Sequence, residues 1–240
     1  MNFIVELFLG ERLKTVANNM QNVYNAGYEK GKSEGGSGFI SDMSYMFYMD
    51  ARFGIRDTIY TYCKDIRTCR SCFMGCSDIV EFDSKGFPDT SNCRFMENMF
   101  MSCKKLVKAD MSHIDCSSLY SSNSGMMGAF QDCSNLEEVI GLLYKSSETP
   151  SLTGAFNRCP KLRRLTFSED CGNYKGTDID ISNCSFERSG MVELFNSLPT
   201  ITNSSKLTIT GNPCLTGTTN LLTDADRAIA TSKGWTLVEA

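Results

Sequence analysis

Twelve cysteines and a single histidine are the residues of this 240-residue chain best suited to nucleophilic or metal chemistry. Cys69-x-x-Cys72, with Cys76 following and Cys63 upstream, could hold zinc through four thiolates. No second Cys-x-x-Cys knuckle accompanies the first, and Cys76 recurs in a pattern that explains it otherwise, so no metal is expected. His113 stands beside Asp115 and Cys116, but a Cys/His dyad needs a shaped pocket, and a surface loop is the simpler place for it. Glu137 and Glu138 are adjacent, which suits two solvated carboxylates rather than an acid–base pair. Gly35-Gly36-Ser37-Gly38 has no strand and helix around it to strain a nucleophile, and no phosphate-cradling glycine loop occurs. The expectation is a non-enzymatic protein with no catalytic residue and no cofactor.

Composition narrows the partners. With 24 Lys+Arg against 28 Asp+Glu the net charge is −4, which disfavours a general nucleic-acid binder, because such proteins live by neutralising phosphates. No apolar run approaches the ~18 to 20 residues that span a bilayer, so no membrane span is expected. The N-terminus lacks the basic, apolar and small-residue succession of a secretory signal: Met1-Asn2 precedes seven mostly apolar residues, Phe3 to Leu9, with Glu6 among them.

The elements come next. Leu13, Val16, Met20, Val23 and Gly27 fall at a 3-4-3-4 spacing, one narrow stripe along a helix over residues 1–30. That stripe suits either packing on its own domain or attachment and homo-oligomerisation. Residues 31–38 carry no apolar side chain and four glycines, and read as a flexible linker.

Beyond the linker the chain repeats. Phe73-x-x-Cys76-x-x-Ile79, Phe100-x-x-Cys103-x-x-Leu106, Phe130-x-x-Cys133-x-x-Leu136 and Phe156-x-x-Cys159-x-x-Leu162 share one order, and their phenylalanines are 27, 30 and 26 residues apart. Met46-Phe47 (with Phe53) and Leu194-Phe195 (with Leu198) are degenerate copies on either side, the last 39 residues after Phe156, giving six rungs. Within a rung a short helical turn ends in the Phe, and an L-x-x-L-x-L segment such as Leu162-x-x-Leu165-x-Phe167 follows as a strand. One such coil cannot bury both its faces, so coils must stack. The predicted fold is an α/β repeat, a solenoid with one parallel sheet and short helices on the opposite wall, over residues 39–210. Cys76, Cys103, Cys133 and Cys159 then form a reduced packing ladder in the narrow interior, since equivalent side chains point in parallel and rarely reach disulfide geometry.

Residues 211–240 read as a C-terminal αβ capping unit. Thr223 with Asp226 forms a capping box opening a helix over Ala225 to Lys233, Gly234 ends it, and Trp235-Thr236-Leu237-Val238 is a strand. On the sheet face, Glu81, Lys108, Glu138 and Arg164 occupy one repeat position and stand side by side, flanked by Val80, Val107, Glu137 and Arg163. They are the candidate binding residues, either as neighbours that merely steady the face or as part of a polar recognition surface.

Met99-Phe100-Met101-Ser102-Cys103-Lys104-Lys105-Leu106, with Asp110-Met111-Ser112 and Asp89-Thr90-Ser91-Asn92, resembles the BspA-type leucine-rich repeats of bacterial surface proteins and phage tail-associated proteins. The likeness covers residues 43 to about 210. The segments Glu11 to Lys32 and Leu222 to Trp235 are similar to the ends of phage-encoded members. The resemblance implies a leucine-rich-repeat fold and a phage or prophage virion structural protein, a tail or other surface component made in the host cytoplasm. Its repeat face would meet a protein or surface-glycan receptor, or other virion proteins. The alternative it implies is a leucine-rich-repeat adhesin on the bacterial cell surface.

Overall fold

The computed structural model describes residues 40–48, 60, 63–120, 125–146, 149–216 and 221–240. The predicted N-terminal helix, the linker and Phe53 lie outside the described residues. Within them the chain is mixed α/β, with parallel sheets and few helices. Its strands are β1 (Ile40–Asp42), β2 (Cys63–Thr68), β3 (Glu81–Asp83), β4 (Lys108–Asp110), β5 (Glu138–Leu142), β6 (Arg164–Phe167), β7 (Ile179–Asp180), β8 (Ser205–Thr208) and β9 (Trp235–Val238). Its α-helices are α1 (Arg188–Ser197), α2 (Pro213–Thr216) and α3 (Asp224–Thr231).

The repeated phenylalanines make the core. Phe47, Phe73, Phe100, Phe130 and Phe156 stack face to face, with centroids 5.3, 5.2, 5.4 and 5.9 Å apart and ring planes within 10°. All five are buried. Stacking of this kind adds about 0.5–1.5 kcal/mol per pair beyond the area it hides. Beside the rings runs a column of thiols. Cys76, Cys103, Cys133 and Cys159 each donate Sγ–H to the backbone carbonyl of the phenylalanine one rung earlier, at 2.9, 3.0, 3.0 and 3.1 Å. Every cysteine is free and buried. The Phe-x-x-Cys spacing thus gives each rung one ring to stack and one small donor for the carbonyl left above it.

Two expectations about the walls are corrected. The segments ending in the repeated Phe are not short helices but runs of consecutive turns, with α1 the one true helix at that place. In each, the residues two before and two after the Phe have positive φ: Ser71 and Gly75, Asn98 and Ser102, Gly128 and Asp132, Gly154 and Arg158. Tyr45, two before Phe47, does the same. This alternation aims every second N–H along the stacking axis. Phe73 N–H reaches Met99 O at 2.8 Å, Phe100 reaches Ala129 O at 2.8 Å, and Phe130 reaches Ala155 O at 2.9 Å. A continuous helix would spend those donors internally.

The second correction is that the parallel strands form three sheets, β1-β2, β3-β4-β5-β6 and β7-β8-β9, rather than one. β1 and β2 precede the turn segment of their rungs, whereas β3 to β6 follow it; Thr68 accordingly bridges to Phe95, not to β3. On the far side of β6, helix α1 takes the place of another strand. Gly190 permits this, since a Cβ there would sit 2.4 Å from Arg163 O. Phe167 N–H, deprived of a strand, donates to Ser197 Oγ of α1 at 3.1 Å.

The C-terminal unit follows its sequence signals closely. Thr223 and Asp226 form the capping box, α3 begins at Asp224, Gly234 has φ 92°, and β9 starts at Trp235. It is joined to the rest rather than set apart, because β9 pairs with β8 across residue 210. Lys233 Nζ lies 3.1, 2.6 and 2.7 Å from the carbonyls of Phe195, Asn196 and Leu198, satisfying the C-terminus of α1, where a cation is favoured.

Truncating the ring column is expected to be costly: Phe100→Ala should lose about 3–5 kcal/mol in a urea titration. Burial pushes the thiols of Cys63, Cys159, Cys171 and Cys184 up to about 12. An unfolded thiol ionises near about 8.5, so the unfolded chain loses protons first and the thiols' contribution fades as pH rises from there toward 12. The melting temperature should therefore fall progressively above about pH 8.5, and native thiols should react with an aromatic disulfide reagent only as fast as the chain opens.

Candidate functional site

The register of β3 to β6 decides what the face presents. Glu81 pairs with Lys108, Lys108 with Glu138, and Glu138 with Arg164, so the four candidates form one row across the sheet. One residue further on, Phe82, Ala109, Val139 and Leu165 point inward and are buried. The alternation is the pleat of a strand that covers a core with one side and shows the other outward.

Sequence position treats the row as uniform; geometry divides it. At the β5–β6 end the charges neutralise one another. Arg164 Nη2 lies 2.7 Å from Glu193 Oε1 on α1, and its Nη1 lies 3.4 Å from Glu138 Oε2. Arg163 meets Glu137 at 2.9 Å and Glu138 at 3.6 Å. Hydrogen bonding from Arg164 holds the Glu193 carboxyl below its ordinary value. At the β3–β4 end, neither Glu81 nor Lys108 has an ion-pair partner within 4 Å among the described residues. Val80, the residue just before β3, is 49% exposed, which for a valine is a large uncovered apolar surface. The end that bears α1 is closed electrostatically, and the other end is not, among the described residues.

The remaining candidates for chemistry are not brought together. His113 is exposed, its backbone N–H donating to Ser84 Oγ at 3.0 Å, while the Cys116 thiol is buried and turned to Ile114 O. Cys76, the fourth member of the Cys63/Cys69/Cys72 set, is committed to the Phe47 carbonyl. Among the described residues no three His, Cys, Asp or Glu side chains are grouped to hold a metal ion. A cleft of about 720 Å³ beside α1 is lined by Arg188 and Asp226, which hold each other at 2.8 Å, and so serves to tie α3 to α1. No helix among the described residues is long and apolar enough to cross a membrane.

Two features escape a linear reading. Glu193, the main partner of Arg164, sits on the helix that replaced a strand, and nothing in the repeat signals it. Arg70, Phe95 and Tyr120 form a stack on another side of the rungs, with the guanidinium 5.1 Å from the Phe95 ring and the rings 5.5 Å apart. Their 25-residue intervals, close to the rung period, are the signal that would have found them.

A family model described as Mycoplasma protein of unknown function, DUF285, matches residues 18–141 and, in an overlapping second alignment, 67–192. No curated protein and no solved structure matches the chain.

If the two ends of the row differ as described, substitutions should separate them. A double-mutant cycle on Arg164→Ala and Glu193→Ala should give a coupling of about 0.2–1 kcal/mol, small because both side chains are partly solvated and lessened further by salt. Lys108→Ala should change stability by no more than about 0.5 kcal/mol.

Proposed function

Since the chain belongs to the family described as Mycoplasma protein of unknown function, DUF285, and is built from in-register turns, we propose that it is a leucine-rich-repeat solenoid that binds a partner and catalyses nothing. The repeats are of the BspA type, and the protein is a phage or prophage virion component of the tail or another exposed part. Residues 1–30 attach it or assemble copies of it. The β3–β4 end of the sheet face meets a host receptor, protein or glycan, or a neighbouring virion protein.

One observation carries the binding reading: Val80, Glu81, Val107 and Lys108 form an apolar and charged surface whose charges have no ion-pair partners among the described residues, whereas the equivalent residues of β5 and β6 are locked together. Ion pairs inside the molecule compete with ion pairs to a partner, so recognition belongs at the end without them. A family model that matches twice in overlapping alignments suits a repetitive chain. The absence of enzymatic chemistry is supported by the burial of all described thiols, the Cys116 sulfur turning to Ile114 O rather than to the exposed His113. The description of the family names Mycoplasma, and this favours a second reading, a surface adhesin of the bacterium itself.

Mass spectrometry of purified particles tests the first reading directly; the protein should be present, and its absence together with recovery from the bacterial surface would establish the second. For the face, Val80→Ser with Lys108→Ala should weaken binding to host cells at least about tenfold, or 1.4 kcal/mol, with the melting temperature unchanged. Equal binding by the double variant would remove the face from the account.

A further inference from the structure

The ladder of turn segments has an end, and that end is not capped. In the second, third and fourth rungs the three N–H groups at Phe−2, Phe and Phe+2 are covered by carbonyls of the next rung. Gly128 donates to Thr153 O at 3.0 Å, Phe130 to Ala155 O at 2.9 Å, and Asp132 to Asn157 O at 2.9 Å. Asn98, Phe100 and Ser102 donate in the same way to Met127, Ala129 and Gln131, and Ser71, Phe73 and Gly75 to Glu97, Met99 and Met101. In the fifth rung the same three groups, on Gly154, Phe156 and Arg158, have no hydrogen-bond partner among the described residues. They retain the donor geometry, since Gly154 and Arg158 keep the positive φ of their counterparts, 64° and 60°.

What lies in front of them is a groove. A cleft of about 660 Å³ is lined by Gly154, Phe156 and Arg158 and, from the chain that follows, by Asp180, Ser182 and Asn183. That following chain leaves the three donors uncovered and meets the fifth rung at Ser185, whose N–H reaches Leu162 O.

We propose that this groove binds an extended polypeptide segment of a partner, which adds to the ladder as its missing rung. Two arguments fix the occupant. The first is continuity: the same row of donors is met at every interior level by alternate carbonyls of a polypeptide, the pattern of strand addition at an open edge. The second is electrostatic. Three N–H dipoles in a row present their positive ends, and the groove's lining already sets Asp132 and Asp180 against Lys104 and Arg158, Arg158 holding Asp132 at 2.7 Å, so the row calls for neutral acceptors of matching spacing. The floor restricts the sequence that enters. Phe156 is only 2% exposed, so the residue opposite it is small rather than another aromatic ring. The inference is independent of the sheet face, which lies elsewhere on the rung.

The probe is a blocked peptide of residues 152–157 with alanine at position 156, a copy of the segment that covers the fourth rung. It is titrated to about 1 mM into the full chain while backbone amides are followed by NMR. Without peptide, Gly154 and Arg158 N–H should exchange with solvent at least about a hundredfold faster than Gly128 and Asp132. With peptide, the amides of Gly154, Phe156 and Arg158 should shift together, and exchange at Gly154 and Arg158 should slow about tenfold or more. Gly154→Asn should leave the shift in place, because Asn98 holds the equivalent position at φ 55° and its N–H still reaches Met127 O at 2.9 Å. The variant is expected to fold, since a side chain at 154 meets no atom within 4 Å. Unmoved amides at 1 mM, or binding lost in Gly154→Asn, would overturn the proposal. Equal shifts with inorganic phosphate would overturn it too, by showing an anion nest in place of a peptide groove.

Discussion

A backbone amide that gives its hydrogen to the next turn of chain, instead of to its own helix, commits the molecule to stacking. Here that commitment is made at every second residue of the turn segments, and it rests on the positive φ at two places per rung. The interaction is modest singly, a net ~1 kcal/mol or so for each bond. Repeated in phase, it sets the spacing at which the phenylalanine rings meet, the carbonyl that each thiol finds, and the register that lines up β3 to β6. A half-turn error anywhere would strand donors, thiols and rings together, so the three columns hold one another in place.

The outward face inherits its order from the same phase. Residues that the chain places 27, 30 and 26 positions apart become immediate neighbours, and a sequence difference of one charge becomes a difference in how the surface is solvated. Helix α1 breaks the symmetry. It brings Glu193 to Arg164 and closes that end of the row, while at the opposite end Val80 is exposed and Glu81 and Lys108 have no ion-pair partner among the described residues. The uneven face arises where the repeat stops repeating.

Much of this was legible in the residues themselves. The Phe-x-x-Cys-x-x-Leu order located the core, the row of four sheet-face residues and the thiol column, and the Thr223-x-x-Asp226 spacing located the capping box, because each depends on side-chain type at a fixed interval. What could not be read was backbone. A turn segment rich in Met and Phe has the apolar spacing of a short helix; Gly75, Gly128 and Gly154, and more weakly Asn98 and Asp132, hint that φ is positive there, whereas Ser71, Ser102 and Arg158 give no such warning. The division into three sheets was hidden for a related reason. Strands on different sides of a rung carry similar alternation, and their pairing depends on where the chain turns corners. Residues 1–38, with the heptad stripe and the linker, lie outside the described part, so that expectation stands as it was made.

Trp235 is the one tryptophan in the chain, and it is buried in the last strand, its indole N–H bonded to Pro199 O at 3.0 Å. Rungs that touch only their neighbours need not all let go at once. The indole's emission therefore watches the C-terminal end of the molecule alone, and the ring column at the other end melts in the dark. Optical signals of peptide ellipticity and of tryptophan emission are reporters on two different regions of this chain, and their agreement or divergence measures how far cooperativity extends along it.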